Sequence, residues 1–217
     1  MSFLSEIEIV PAILSKTKQD LMQKISRVSS APILQIDLMD GIFVNNKTIG
    51  LESLKSLPKN KIIEYHLMVS DPLEWIQKLP GGEKSIFQIH VESGERADLE
   101  EAAELVRQKE SGLCWVLNPP TQVSMLEGLE PAQEILVMTV YPGLSGQKYI
   151  CEMEDKISEL RSMDKNMIIE VDGGITEQTA LRAVRAGANR LAAASTLFEK
   201  DDADLAYKEL KTIVNKQ

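Results

Sequence analysis

The feature that most constrains this chain is an alternation. Short runs rich in β-branched and apolar residues keep returning, each followed by a longer amphipathic or loop-like stretch. The runs are Ile7–Leu14, Ile33–Leu38, Ile62–Val69, Ser85–His90, Gly112–Leu117, Ile135–Val140, Met167–Val171 and Arg190–Ala194. Helical periodicity covers Gln19–Ser29, Pro72–Lys78, Asp98–Lys109, Cys151–Met163 and Glu177–Ala186. Neighbouring parallel strands must be joined by a crossover, so strand and helix in repeated alternation predict a parallel sheet. Eight such units in 217 residues suit a closed (β/α)8 TIM barrel better than an open sheet. No GxGxxG follows the first run, which counts against a doubly wound dinucleotide-binding fold. No linker or change of composition interrupts the pattern, so residues 1–217 read as one barrel domain. Tyr207–Gln217 is expected to be a last helix that closes the ring with Leu210 and Ile213 facing inward.

Composition narrows the partners. The formal net charge is -9, and Lys/Arg stretches such as Lys16-Thr17-Lys18 and Lys59-Asn60-Lys61 are short. Duplex binding requires clustered cations to displace counterions, so a nucleic-acid partner is not expected. No segment reaches the roughly eighteen consecutive apolar residues of a membrane span, and Met1–Glu6 lacks the basic and apolar regions of a signal peptide. Cys114 and Cys151 lie far apart and form no CxxC pair, as expected of ordinary thiols in a reducing compartment. The expectation is a cytoplasmic protein that handles a small molecule.

A barrel of this kind places its chemistry at the carboxyl ends of the strands, so polar residues there carry the most information. In Leu34-Gln35-Ile36-Asp37-Leu38-Met39, strand alternation puts Gln35, Asp37 and Met39 on one face. If Ile36 and Leu38 face the helices, Gln35 and Asp37 point into the barrel, and an inward carboxylate needs a cation, a donor or a raised pKa. Asp40-Gly41 reads as a turn. In Tyr65-His66-Leu67-Met68, His66 shares a face with Met68 and is a metal ligand, an acid/base or a core histidine bonded to a carbonyl. In Ile169-Glu170-Val171-Asp172-Gly173-Gly174 the two carboxylates again alternate with apolar residues. The Gly-Gly that follows leaves backbone N–H groups bare, as in a phosphate cradle, although such a pair also marks ordinary turns. The Gly-rich loop Tyr141–Gln147, flanked by Lys148, suits a phosphate-facing lid or a plain flexible connection. Ala194-Ser195-Thr196 opens the last helix, with Ser195 as either an N-cap or a phosphate donor.

With these residues in place the chain resembles the ribulose-phosphate 3-epimerase family over nearly its whole length. The resemblance is carried, in order, by Pro11-Ala12-Ile13-Leu14-Ser15; by Ile36–Val44 with Asn46 and Thr48-Ile49-Gly50; by His66–Val69; by His90-Val91-Glu92; by Leu117-Asn118-Pro119; by Val137–Gly143; and by Glu170–Ile175. It implies a metal-assisted epimerisation at C3 of a ketopentose 5-phosphate, or of a related phosphorylated sugar. Asp37 and Asp172 match the two aspartates that exchange the C3 proton on opposite faces of the substrate. Asp37, His66 and Asp172 match ligands of a divalent ion (Zn, Fe, Mn or Mg). Met39, Met68 and Met138 match the methionines beside the reacting carbons. The phosphate would lie against Gly143, Ser145, Gly146, Gly173, Gly174 and Ser195, and a homo-oligomer is implied.

The departures are specific. The family's fourth metal ligand, a histidine, is Gln35 here; an amide oxygen can ligate a hard cation but is a poorer partner for zinc than imidazole. A serine expected in the first strand is Ala12. The loop usually written N-P-G-F-G-G is Tyr141-Pro142-Gly143-Leu144-Ser145-Gly146, and the terminal G-S is Ala194-Ser195. The proton-transfer pair is therefore intact, the metal set has three of its four usual members, and the pocket is reshaped. The leading expectation is an active sugar-phosphate 3-epimerase. The alternative is a barrel that has lost this chemistry and binds a phosphorylated sugar without turning it over. A different lyase or isomerase on the same scaffold is a third reading, although the D-x-K-x-x-D strand of the orotidine decarboxylase-like branch is missing its lysine in Asp37-Leu38-Met39-Asp40.

Overall fold

The computed structural model describes residues 6–216. Its strands are β1 (Glu8–Ile13), β2 (Ile33–Met39), β3 (Ile62–Met68), β4 (Ser85–His90), β5 (Gly112–Leu117), β6 (Glu134–Met138), β7 (Ile168–Asp172) and β8 (Arg190–Ala193). Each pairs in parallel with the next and β8 pairs with β1, so the sheet closes on itself and leaves no edge.

The helices are α1 (Lys18–Arg27), α2 (Leu51–Leu54), α3 (Pro72–Lys78), α4 (Arg96–Gln108), α5 (Met153–Met163), α6 (Glu177–Ala186), α7 (Ser195–Phe198) and α8 (Ala203–Asn215). Local chemistry marks their ends. The hydroxyls of Thr17 and Thr176 and the carboxylates of Asp71 and Asp202 accept backbone N–H bonds at the starts of α1, α6, α3 and α8. Gly187, with φ of 120°, stops α6. No described helix is long and apolar enough to cross a membrane.

The expected elements are present, with boundaries shifted by a few residues. The strand expected at Ile135–Val140 ends at Met138: the Thr139 N–H still donates to the Asp172 carbonyl, but its own carbonyl accepts from Ile150 and its hydroxyl donates to the carbonyls of Asp172 and Gly173. The stretches after β2 and β5 hold only single turns, α2 and the 3-10 helix Val123–Leu126, which are too short to show a period. In α8 the inward face is Tyr207, Leu210 and Val214, whereas Ile213 is only half-buried. The two thiols are free, Cys114 buried and Cys151 exposed.

Alternation divides the strand side chains into two sets. One set, including Ile36, Leu38, Leu67, Ile89, Val137, Val171 and Leu191, packs against helix residues such as Leu21, Ile76, Val106 and Leu160. The other set points into the barrel, and much of it is polar. At the bottom, Arg190 donates to Glu64 at 2.9 Å, Glu134 at 2.6 Å and Glu8 at 2.9 Å. Gln88 donates to Glu170 at 2.8 Å and approaches Glu64 at 3.5 Å. Above this floor lie Gln35, Asp37, His66, His90 and Asp172. The inward Glu170 was expected; its neighbours Glu64, Gln88, Glu134 and Arg190 were not.

One guanidinium cannot neutralise four carboxylates. Burial, with the charge of Glu134 beside it, pushes the Glu64 carboxyl up to about 8 against the pull of Arg190. Burial and the charges of Glu64 and Glu134 raise Glu170 well above the ordinary carboxyl range. A carboxyl raised in the folded state binds a proton there that the unfolded chain has already released, so its contribution to stability falls as pH rises between the two values. Urea midpoints should therefore fall from pH 5 to pH 8, and should fall less steeply in Glu64→Gln. Arg190→Met leaves the floor carboxylates without their cation and should lower the unfolding free energy by about 3–5 kcal/mol. A urea-denaturation difference below about 1 kcal/mol would mean that protonation alone satisfies the floor.

Candidate functional site

Three strands bring the acidic and imidazole groups together. Asp37 lies opposite His66 in the β2–β3 register, and Asp172 is the last residue of β7. One ligand atom from each of Asp37, His66 and Asp172 lies within 4.8 Å of the others. Gln35 sits one strand step below Asp37, fully buried. Its Nε2 donates to Asp37 Oδ1 at 2.8 Å and to Asp172 Oδ2 at 2.8 Å, and lies 3.3 Å from His66 Nδ1. These four residues are those expected to meet here. Their donor set of two carboxylates, an imidazole and an amide fits a divalent ion in residue type and convergence.

A fifth member is one to which the sequence motifs assign no role. His90, on the inward face of β4, stacks on His66 at 5.1 Å between ring centres, with His66 Nε2 and His90 Nε2 3.0 Å apart. Phe43 covers it, ring centre to ring centre 4.9 Å, and its Nδ1 lies 3.4 Å from Glu92 Oε2. Alternation within Phe87-Gln88-Ile89-His90 was the available signal.

The two imidazoles titrate apart. Burial works against the His66 cation, but bonds to Asp172 and Asp37 and their charges raise it to about 9. Burial pushes His90 down to about 4, with the charge of His66 adding to the effect and Glu92 opposing it. With no ion bound, the surroundings thus favour the cation at His66 and the neutral ring at His90. The 3.3 Å approach of Gln35 Nε2 to His66 Nδ1 is, in that state, a contact between two donors.

A cleft of about 530 Å3, including its mouth, opens above these groups. Met39, Met68 and Met138 form its walls, each almost wholly buried, and Ala12 lines it where a hydroxyl was expected. Gly143, Ser145, Gly146, Gly173, Gly174 and Ser195 line the outer part, as expected. Among the described residues no Lys or Arg lines the cleft; Lys148, which flanks the 141–147 loop, is exposed and not part of the lining. The loop over the mouth is stapled, since Gln147 donates to the carbonyls of Tyr141 and Leu144 and Asn46 donates to that of Gly143. Ser195 is not an N-cap. That position is Ala194, and Ser195 begins α7, a helix separate from the last one. Asp40 is a turn residue as expected: it accepts from the backbone N–H groups of Ile42, Phe43 and Ser70.

Over residues 8–198 the chain matches the Ribulose-phosphate 3 epimerase family. It is 34% identical over 206 residues to the cytoplasmic isoform of ribulose-phosphate 3-epimerase from Oryza sativa subsp. japonica, covering 91% of this chain and 90% of that one. It is 33% identical over 219 residues to the ribulose-phosphate 3-epimerase of Bacillus subtilis strain 168, covering 94% and 98%. Among solved structures, 3-hexulose-6-phosphate synthase from Salmonella typhimurium superposes with a TM-score of 0.73 at 14% identity, covering 96% of this chain and 98% of that one. Orotidine 5'-monophosphate decarboxylase from Sulfolobus solfataricus gives 0.65 at 13%, covering 96% and 97%. At such identities the likeness is one of fold.

The outer wall depends on two glycines. Gly173 and Gly174 have φ of 121° and 64°, and a Cβ on Gly174 would stand 2.5 Å from Tyr149 N and 2.9 Å from Gln147 O. Backbone cannot yield as a side-chain tip can. Gly174→Ala should therefore cost about 1–3 kcal/mol and displace the 147–149 segment. A thermal melt within about 1 °C of the parent would show that the segment moves aside freely.

Proposed function

Because the chain belongs to the ribulose-phosphate 3-epimerase family, we propose that it moves a proton at C3 of a ketopentose 5-phosphate, interconverting ribulose 5-phosphate and xylulose 5-phosphate or a closely related pair. The observation that carries this reading is the placement of Asp37 and Asp172. They come from β2 and β7, both border the open cleft, and both reach the same point, marked by the Gln35 amide nitrogen at 2.8 Å from each.

A C–H bond next to a carbonyl is weakly acidic, so it needs a base at the carbon and positive charge at the oxygen. One aspartate takes the C3 proton, and the electron pair of that bond moves into an enediolate. The other aspartate, protonated at the outset, delivers its proton to C3 from the opposite face. The configuration inverts, and the two carboxyl groups have exchanged protonation states. Met39, Met68 and Met138 exclude water around the reacting carbons and lower the local dielectric, which strengthens every charge interaction there. When bound by Asp37, His66 and Asp172 with Gln35, a divalent ion supplies the positive charge that polarises the substrate carbonyl. Zn, Fe, Mn and Mg are all candidates for that ion. With no lysine or arginine among the described residues of the cleft lining, the phosphate would rest on backbone N–H groups of 143–146 and 173–174 and on the hydroxyls of Ser145 and Ser195.

Proton NMR of D-ribulose 5-phosphate in deuterated water tests the reading. Deuterium should appear at C3 together with xylulose 5-phosphate, and Asp37→Asn and Asp172→Asn should each slow exchange by about 10²–10⁴-fold. Exchange that survives both substitutions unchanged would remove these residues from the mechanism. Saturable binding without exchange, under every metal tried, would instead support a barrel that holds the sugar phosphate without turnover.

A further inference from the structure

Two carboxylates that converge within 4.8 Å of each other and of one imidazole carry more negative charge than that ring can offset, so they repel each other or recruit a further cation. In this chain the centre of the group is taken by a neutral side chain. The Gln35 NH2 has two N–H bonds, and its nitrogen is 2.8 Å from an oxygen of each aspartate. Chemistry decides which way round the amide lies. Turned over, Oε1 would gain one donor, His66 Nδ1 at 3.3 Å, but would face an oxygen of each ionised carboxylate and forfeit both N–H bonds. The other end of the amide is less well served: Oε1 is buried and has no hydrogen-bond partner among the described residues.

We propose that the Gln35 carboxamide is a built-in substitute for the divalent ion. Its NH2 cross-links Asp37 and Asp172 and keeps the proton-transfer pair assembled in the metal-free protein, and the amide must turn over before an ion can enter. This rests on the site assigned above but not on turnover of any substrate. A histidine at this position has one N–H at most in its neutral form, so it cannot satisfy both aspartates; their repulsion then favours taking up an ion. Glutamine reverses both sides of that balance. It satisfies the empty site, and offering Oε1 to an ion moves the NH2 away from its two acceptors into the place where Oε1 now has no partner. The chain should therefore be stable without metal and bind it loosely.

The test uses the 217-residue chain, dialysed against EDTA, with metal content read by mass spectrometry. Zn2+ and Mn2+ are then titrated against thermal melting and against a chromophoric chelator. The parent should melt within about 2 °C of its undialysed form. Gln35→His should bind Zn2+ at least about tenfold more tightly. When metal-free it should melt below the parent, and it should gain about 5–10 °C with Zn2+ at a hundred times its Kd. Gln35→Leu, which lacks the NH2, should also melt below the parent when metal-free and should respond more strongly to Zn2+. The proposal is overturned if the parent retains one ion per chain through EDTA, if removing that ion lowers its melting point by more than about 5 °C, or if neither variant exceeds it in Zn2+ affinity. None of these readings involves the sugar. Absence of exchange at C3 would count against the substrate assignment and leave the role of Gln35 standing.

Discussion

Closing a parallel sheet into a barrel gives every second side chain of every strand nowhere to go but inside. Water is excluded there, so each inward polar group must find a partner among the others or lose its charge. In this protein the interior holds buried Glu64, Glu134, Glu170, Gln88 and Arg190 below, and Gln35, Asp37, His66, His90 and Asp172 above. The rest of the structure follows from how those groups are matched.

The lower tier is arranged around one cation. Arg190 joins β8 to β1, β3 and β6 through Glu8, Glu64 and Glu134, while Gln88 ties β4 to β7 through Glu170. The same strands carry the upper tier: His66 follows Glu64 on β3, His90 follows Gln88 on β4, and Asp172 follows Glu170 on β7. Packing in the floor thus sets where the reactive groups stand. The loops can then be narrow and glycine-rich, because they need only close the cleft.

In the upper tier the problem is the opposite one, an excess of negative charge facing the open end. Two devices meet it. Asp172 and Asp37 favour the cationic form of His66, and burial favours the neutral form of His90 stacked on it. Gln35 adds two N–H bonds at the point where the aspartates converge. Together they hold the two carboxylates in place beneath the cleft.

The barrel was legible from the sequence because its cause is local. Strand alternation and helical periodicity are properties of neighbouring residues, and Ile36, Leu38, Val171 and the other outward strand positions display them directly. The inward placement of Gln35, Asp37, His66, Glu170 and Asp172 followed from the same alternation. Single turns such as Leu51–Leu54 and Ser195–Phe198 did not show, since four residues contain no period. Nor did the pairing of Arg190 with Glu64 and Glu134, which are 126 and 56 residues away, or the stacking of His90 on His66. Sequence alone determined that strand side chains alternate between the helices and the interior, and for Gln35, Asp37, His66, Glu170 and Asp172 which side they take. Only the closed tertiary structure decided which of them touch, because register and barrel closure bring together residues that share no local pattern, and it is this that places the amide of Gln35 between the two aspartates.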